Sequence, residues 1–222
     1  MASSTSTVAA PASAPAGFEF PREYYFPPFF TRQTNLNTHH AQLVKWSSLV
    51  LSYCQHHRIF KLPLSPISTS TTAASSSLSN ATPTSGSNPN AAEDIFFNRR
   101  LNRRLALADV REVIDFMRKD GRAEYVGGEG GAAGAAGAGG DVVWVYWRTP
   151  EEWAALVEGW VDETAQKGTV LTLYELTEGE GTRGTEFHGL DQDLLQKALN
   201  VLVKRGKAQI FGQEDSQGVK FF

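Results

Sequence analysis

The sequence predicts an α+β fold in which one small unit, a group of short helices closed by a two-stranded hairpin, occurs twice. Three observations carry that expectation. The first is an internal repeat. At a shift of about 85 positions, Val110, Val113, Ile114 and Met117 fall on Leu195, Ala198, Leu199 and Leu202, and Gly121 falls on Gly206. Arg122-Ala123-Glu124-Tyr125-Val126 falls on Lys207-Ala208-Gln209-Ile210-Phe211. Any two amphipathic helices can be aligned, but the shared order of glycine, basic, alanine, polar and apolar residues after the helix marks a duplicated unit. The second observation is that in each copy the apolar period changes, directly after the glycine, from helical steps to a short extended run. The third is that three low-complexity stretches drop out of the pattern: residues 1–17, residues 65–92 (Ser, Thr, Asn, Pro and Ala) and residues 127–140 (almost all Gly and Ala). Such stretches bury too little apolar surface to offset chain entropy. They read as a disordered tail and two insertions at loop tips. Roughly 160 patterned residues remain, a length that suits two small domains.

The elements follow in order. From Asn37 to His57, Leu43, Trp46, Val50, Tyr53 and Cys54 recur at three- and four-residue steps and predict an amphipathic helix. Asp94 to Asn98 reads as a short helical turn. Asp109 is the expected N-cap of the next helix, with Val110, Val113, Ile114 and Met117 on one face and Gly121 closing it at C′. Arg122–Val126 and Asp141–Arg148 are the two strands of a wing. Thr149-Pro150-Glu151-Glu152 then offers an N-cap, a proline at the first helical position and a glutamate three residues after the cap. Trp153, Leu156, Val157, Trp160 and Val161 form the stripe of that helix. Val170–Leu173 reads as a short strand and Tyr174–Thr177 as a short helix. Asp191 caps a helix carrying Leu194, Leu195, Ala198, Leu199 and Leu202, and Gly206 ends it. Lys207–Phe211 and Gly218–Phe222 pair as a last hairpin through a turn near Asp215-Ser216. Helix, short strand, short helix, capped helix and two-stranded wing make the winged-helix variant of helix-turn-helix. The expected division is therefore a first winged helix over 18–148, with an N-terminal Pro/aromatic arm, and a second over 149–222.

Composition narrows the function. The formal net charge is −3, so no global field draws the chain to nucleic acid or anionic membrane. The single cysteine, Cys54, makes neither an intramolecular disulfide nor a Cys-based zinc site and reads as a half-buried thiol in a reducing compartment. No run of 18 apolar residues exists. The N-terminus lacks the basic start and apolar core of a secretory signal, so a cytoplasmic location is expected.

Winged helices often read DNA through the second capped helix, so a DNA-binding transcription regulator is the alternative reading. Here that helix carries Asp191, Gln192, Asp193, Gln196 and Lys197, and its basic residues Lys204 and Arg205 lie at the C-terminal end, where they suit the helix dipole. A duplex reader needs Arg or Lys with Asn or Gln on the exposed N-terminal face. The strongest basic cluster, Arg99, Arg100, Arg103 and Arg104, is followed by Asp109, Glu112 and Asp115 on the capped helix. Catalysis finds less. His39-His40 and His56-His57 are expected at the surface, His188 lacks a nearby Ser or Cys nucleophile, and Glu175, Glu178 and Glu180 have no metal-loop spacing. The Gly/Ala stretch lacks the Lys-Ser/Thr of a phosphate loop. No catalytic residue, cofactor or metal is expected.

The segment Phe18 to Thr31 stands apart, with seven Phe and Tyr residues and three prolines outside the helical core. Proline stiffens an extended backbone and lowers the entropy lost on docking, and aromatic side chains anchor protein interfaces. This arm is expected to contact a partner.

Phe26-Pro-Pro-Phe-Phe-Thr31, Trp46-Ser-Ser-Leu-Val-Leu-Ser-Tyr-Cys54, Arg148-Thr-Pro-Glu-Glu-Trp153, Thr172-Leu-Tyr-Glu-Leu-Thr177, Glu186-Phe-His-Gly-Leu190 and Gly218-Val-Lys-Phe-Phe222 occur in this order. Together they resemble the vacuolar protein sorting-associated protein 25 family, the small subunit of the endosomal sorting complex ESCRT-II. The resemblance covers Phe18 to Phe222 apart from the two insertions. It implies a non-enzymatic subunit of two tandem winged helices, present in two copies per complex and recruited to the endosome to sort ubiquitinated cargo into multivesicular bodies. It also implies that the first winged helix docks onto two larger ESCRT-II subunits through Pro27, Pro28, Phe29 and Phe30. An upstream Pro-Pro-x-Tyr of some members is here Pro21-Arg22-Glu23-Tyr24, without the second proline. The second winged helix is implied to bind the initiating ESCRT-III subunit, through a face that includes Val170, Leu171, Thr172 and Leu173. Membrane contact is then indirect, through partners.

Overall fold

The helix–glycine–strand cassettes of the two copies correspond in helix bounds, glycine and closing hydrogen bonds at a shift of 85 positions. In the computed structural model, which describes residues 17–64, 90–126, 142–212 and 217–222, helix α3 spans Leu107–Lys119 and helix α6 spans Gln192–Lys204. Each ends at a glycine in the left-handed region, Gly121 at φ 69° and Gly206 at φ 70°. A side chain there would bring Cβ close to the following carbonyl, which is why both copies need glycine. The closing hydrogen bonds also match. Gly121 N–H donates to the Arg118 carbonyl at 3.0 Å and Arg122 N–H to Met117 at 2.8 Å. Gly206 N–H donates to Val203 and Lys207 N–H to Leu202, both at 2.9 Å.

Before α3 come helix α1 (Leu36–His56), strand β1 (Lys61–Pro63), the short helix α2 (Ala91–Phe96), and a two-residue hairpin of β2 (Phe97–Asn98) and β3 (Arg103–Arg104). After α3 come β4 (Ala123–Tyr125) and β5 (Val142–Val145). The second copy runs α4 (Pro150–Glu163), β6 (Val170–Thr172), α5 (Leu173–Glu178), α6, β7 (Ala208–Phe211) and β8 (Gly218–Phe221). The sheets share one plan: β1-β5-β4 in the first copy and β6-β8-β7 in the second, all antiparallel.

Local chemistry explains the helix starts. Asn35 caps α1 by accepting from the N–H groups of Asn37 and Thr38. Thr149 and Thr172 open α4 and α5 with capping boxes, each pairing with a glutamate three residues on. Asp191 caps α6 by accepting from Asp193 N–H. Asp109 is not the cap of α3. That helix starts three residues earlier than such a cap would set it, after Ala106 and without a side-chain cap. Leu107 already packs against the core there, and Asp109 lies in the first turn, where its charge suits the helix dipole.

Three further expectations change. The Ser-rich stretch does not extend to residue 92, because Ala91 and Ala92 are fully buried in the first turns of α2. Strand β1 carries too little apolar sequence to show a period, and its Pro63 is tolerated because the strand lies at a sheet edge. The β2–β3 hairpin, likewise unforeseen, is placed by Leu105 N–H donating to the Phe96 carbonyl at 2.9 Å. The tail over 1–16, nearly all of the Ser-rich stretch, the Gly/Ala stretch and the turn at Asp215-Ser216 lie outside the described residues.

Two hydrophobic clusters form. One gathers α1, α2, α3 and the inner face of the first sheet around Trp46, Phe96 and Ile114. The other gathers α4, α5, α6 and the second sheet around Trp153, Phe187 and Leu199, and it also takes in Phe60, Trp144 and Tyr146 from the first copy.

Candidate partner-binding site

Two adjoining 3-10 turns, Arg22–Tyr25 and Pro27–Phe30, fold the aromatic arm back along α1. Pro27 and Pro28 start the second turn, where a missing N–H costs no helical bond. The Phe29 ring stacks on the Trp46 indole at 4.3 Å and 8°, and Phe30 meets the same indole edge-on at 5.4 Å. The Trp46 indole N–H and the Gln42 amide both donate to the Phe29 carbonyl, at 3.1 and 2.8 Å. The Tyr24 hydroxyl donates to the Asp94 carbonyl at 3.2 Å, and the Asn98 amide donates to the Tyr24 carbonyl at 2.7 Å. Burial pushes the Tyr24 phenol well above its ordinary value and that of Tyr53 up to about 12.

The arm therefore differs from its expected exposure. Phe29 and Phe30 are 7% and 5% exposed and belong to the chain's own core. Trp46 offers an apolar face that the short helices of the first copy leave open, and the arm covers it. Tyr24 of the Pro21-Arg22-Glu23-Tyr24 segment is buried in the same way. What the arm presents outward is Tyr25, Phe26 (60% exposed), Pro27 and Pro28. The Arg100 guanidinium sits 5.6 Å from the Tyr25 ring. Between arm and α1 runs a groove of about 360 Å³ lined by Phe18, Glu23, Phe29, Val44, Lys45 and Leu49. The Lys45 ammonium reaches the Glu23 carboxylate at 2.9 Å, and that hydrogen bond holds the carboxyl below its ordinary value.

The Val170–Leu173 set also divides. Val170 (59% exposed) and Thr172 face out on edge strand β6, Leu171 is half-buried, and Leu173 is buried in the second core. Thr172 is occupied as the cap of α5, its N–H donating to Glu175 at 2.7 Å. Cross-strand register places Val170 beside Lys220, and Lys220 beside Gln209, in one row on the outer face of the sheet. Phe222, two residues beyond Lys220, is 51% exposed on that face. The same row in the first copy is Lys61–Trp144–Glu124, with Tyr146 in the place of Phe222. Tyr146 N–H donates to the Arg122 carbonyl as Phe222 N–H does to Lys207, which fixes the correspondence. In the first copy this face is covered by α6, and in the second no described residue covers it. The repeat shift carries Glu124 onto Gln209 and would have pointed to this face, but β1 had to be recognised first.

The helix expected to read DNA is engaged elsewhere. On α6, Asp193 pairs with Lys61 at 2.7 Å and Lys197 with Glu124 at 2.6 Å. In the arginine cluster, Arg104 pairs with Glu93 and lies over the Phe97 ring, and Arg99 pairs with Asp94. His39 is not a solvated surface residue: its side chain is mostly buried, with Nε2 3.0 Å from Glu112, the carboxylate that also holds Arg32. Burial pushes the Cys54 thiol far up, which removes thiolate character. Among the described residues no group of three or more His, Cys, Asp or Glu is placed to hold a metal, and no helix is long and apolar enough to cross a membrane.

The family model "ESCRT-II complex subunit" matches residues 23–191. Vacuolar protein-sorting-associated protein 25 of Xenopus laevis is 35% identical over 206 residues, covering 93% of this chain and 99% of the relative. The Dictyostelium discoideum protein of that name is 38% identical over 208 residues, covering 92% of this chain and 96% of the relative. The crystal structure of endosomal complex ESCRT-II (VPS22/VPS25/VPS36) contains a chain that matches the fold with a TM-score of 0.68 at 23% identity, covering 90% of this chain and 98% of that one. The tandem winged-helix architecture and the relatives agree from one end of the described fold to the other, and the chain belongs to the ESCRT-II complex subunit family, alongside the vacuolar protein-sorting-associated 25 proteins.

Proposed function

We propose that this chain is a non-enzymatic adaptor, with a first winged helix over 18–148 that joins the two larger ESCRT-II subunits and a second over 149–222 that recruits the initiating ESCRT-III subunit. Two copies act per complex, in the sorting of ubiquitinated cargo into multivesicular bodies. The chain works from the cytoplasm and reaches the endosome membrane through its partners. The observation that carries this reading is the outward edge of the arm. Tyr25, Phe26, Pro27 and Pro28 stand exposed on a segment pinned by buried Tyr24, Phe29 and Phe30. Pinning removes in advance the entropy that a free arm would lose on docking. Pro27 and Pro28 meet the larger subunits directly, and Phe29 and Phe30 hold them in place. Co-purification of a Tyr25→Ala/Phe26→Ala variant with the two larger subunits tests this. Loss of the complex with a folded chain is expected, and undiminished recovery would sink the assignment.

For the second face, the support is the internal precedent of the first copy, whose equivalent sheet surface holds a helix. Val170, with Lys220 and Phe222 beside it, offers a partner helix an apolar strip with one cation; Leu171, packed inward, Thr172 and Leu173 hold the strand and shape its end. Titrating the N-terminal helix of the ESCRT-III subunit against the full chain and against Val170→Asp should show saturable binding only to the former. Equal affinity for both would remove Val170 from the site.

A further inference from the structure

We infer that the two winged helices of this chain are locked at one fixed angle by a charge-matched seam, in which the Lys61–Trp144–Glu124 row of the first sheet reads the N-terminal half of α6. Strand alternation builds the seam. On β1, β5 and β4, Leu62, Val143 with Val145, and Ala123 point into the first core, so their neighbours Lys61, Trp144 and Glu124 point out of the opposite face. They stand directly across from one another, cation, indole and anion in order. The helix answers with Asp193 and Lys197, four residues apart and therefore on one face.

The contacts pair by sign. Lys61 reaches Asp193 at 2.7 Å and Asp191 at 3.1 Å, and Asp191 is a buried carboxylate that also caps α6. Lys197 reaches Glu124 at 2.6 Å and the Tyr146 hydroxyl at 3.0 Å, and Tyr146 in turn donates to Glu124 at 2.7 Å. Both ammonium groups approach the Trp144 ring, at 4.5 and 5.4 Å. Trp144 and Tyr146 thereby count among the core residues of the second copy although the first copy supplies them. Flanking bonds from Arg58 to the carbonyls of Glu186 and His188, at 3.1 and 2.6 Å, extend the contact. Sliding α6 along its axis by one turn, or reversing it, would set Lys61 against Lys197 or Glu124 against Asp193. The seam thus selects one orientation, as opposite-charge rows do in specific interfaces. It stands whatever partners the arm and the second sheet face bind.

The test is double electron–electron resonance on the full chain, with spin labels at Ser52→Cys on α1 and Glu163→Cys on α4, both exposed. Cys54 is buried and stays unlabelled. One narrow distance distribution is expected for the parent. Lys61→Glu/Lys197→Glu should shift or broaden it, and the swap Glu124→Lys/Lys197→Glu, which keeps opposite signs facing, should return it to the parental width. If the double reversal unfolds, Lys61→Gln/Lys197→Gln takes its place, with broadening expected. A broad distribution in the parent, an unchanged one in the reversed or neutralised variant, or a swap as broad as the reversal would overturn the inference.

Discussion

Replacing Phe29 by alanine separates the two roles that one short aromatic segment combines. The ring is 7% exposed, stacked on Trp46 and flanked by Phe30. Truncating a buried phenylalanine costs about 3–5 kcal/mol, of which an aromatic stacking pair contributes about 0.5–1.5 kcal/mol. Two features favour the lower end. The groove beside Phe29 is open, so the vacated space is wetted rather than left empty. The hydrogen bonds from Trp46 and Gln42 go to the Phe29 backbone carbonyl and survive the substitution. A loss of about 3 kcal/mol is expected, which for a chain of this size lowers the melting temperature by about 6–12 °C. Phe26→Ala removes a ring that is 60% exposed and should stay within about 0.5 kcal/mol of the parent. Thermal unfolding of the isolated chain, followed by tryptophan fluorescence, measures both. Equal stability of Phe29→Ala and Phe26→Ala would refute the assignment of Phe29 to the core.

Gly121→Ala and Gly206→Ala should each cost about 1–2 kcal/mol in denaturant unfolding, since both sit near φ 70° with open space around Cβ, and a several-fold difference between them would argue against equivalent caps. Backbone hydrogen bonds from Thr149 and Thr172 hold the Glu152 and Glu175 carboxyls below their ordinary value of 4.5. With folded-state values depressed, the stabilisation is complete above that value and is lost as pH falls through the lower ones. Glu152→Gln/Glu175→Gln should therefore lower the melting temperature at neutral pH and flatten its fall below about pH 4.5, and a parallel profile would refute the capping role. Cys54 should resist a maleimide in the native chain and react on unfolding, as read by intact mass, whereas rapid native labelling would contradict its burial.

How far the sequence disclosed this arrangement depended on what each element is made of. Helix α6 was legible from end to end because its cap Asp191, its stripe and its terminator Gly206 agree, and α4 was legible from its Thr149 cap and its stripe but not at its C-terminal end. Strand β1 was not, because three residues with a proline carry no period and its pairing with β5 is set by tertiary contact. The aromatic richness of the arm was legible, but not its division into buried Tyr24, Phe29 and Phe30 and exposed Tyr25 and Phe26. Composition counts rings; it does not say that Trp46 lies near enough to stack on Phe29. The charge seam was invisible for the same reason, since Lys61, Glu124 and Asp193 are far apart in the chain and each is ordinary alone.

The duplication has a consequence that neither copy shows by itself. A winged-helix sheet has an inner face, committed to its own core, and an outer face whose use is free. In the first copy that face carries Trp144 and Tyr146, both almost fully buried under α6. In the second copy the same two places hold Lys220 and Phe222, and Val170 replaces Lys61 at the edge. Tryptophan and tyrosine at these places suit permanent burial, offering large apolar area with a polar group that finds a partner, as Tyr146 does on Glu124. A lysine lying over an exposed phenylalanine keeps the face soluble while it is empty and leaves an apolar ring and a cation for a ligand. The two outer faces therefore differ in kind: the first is the joint that holds the chain together, and the second stays uncovered among the described residues.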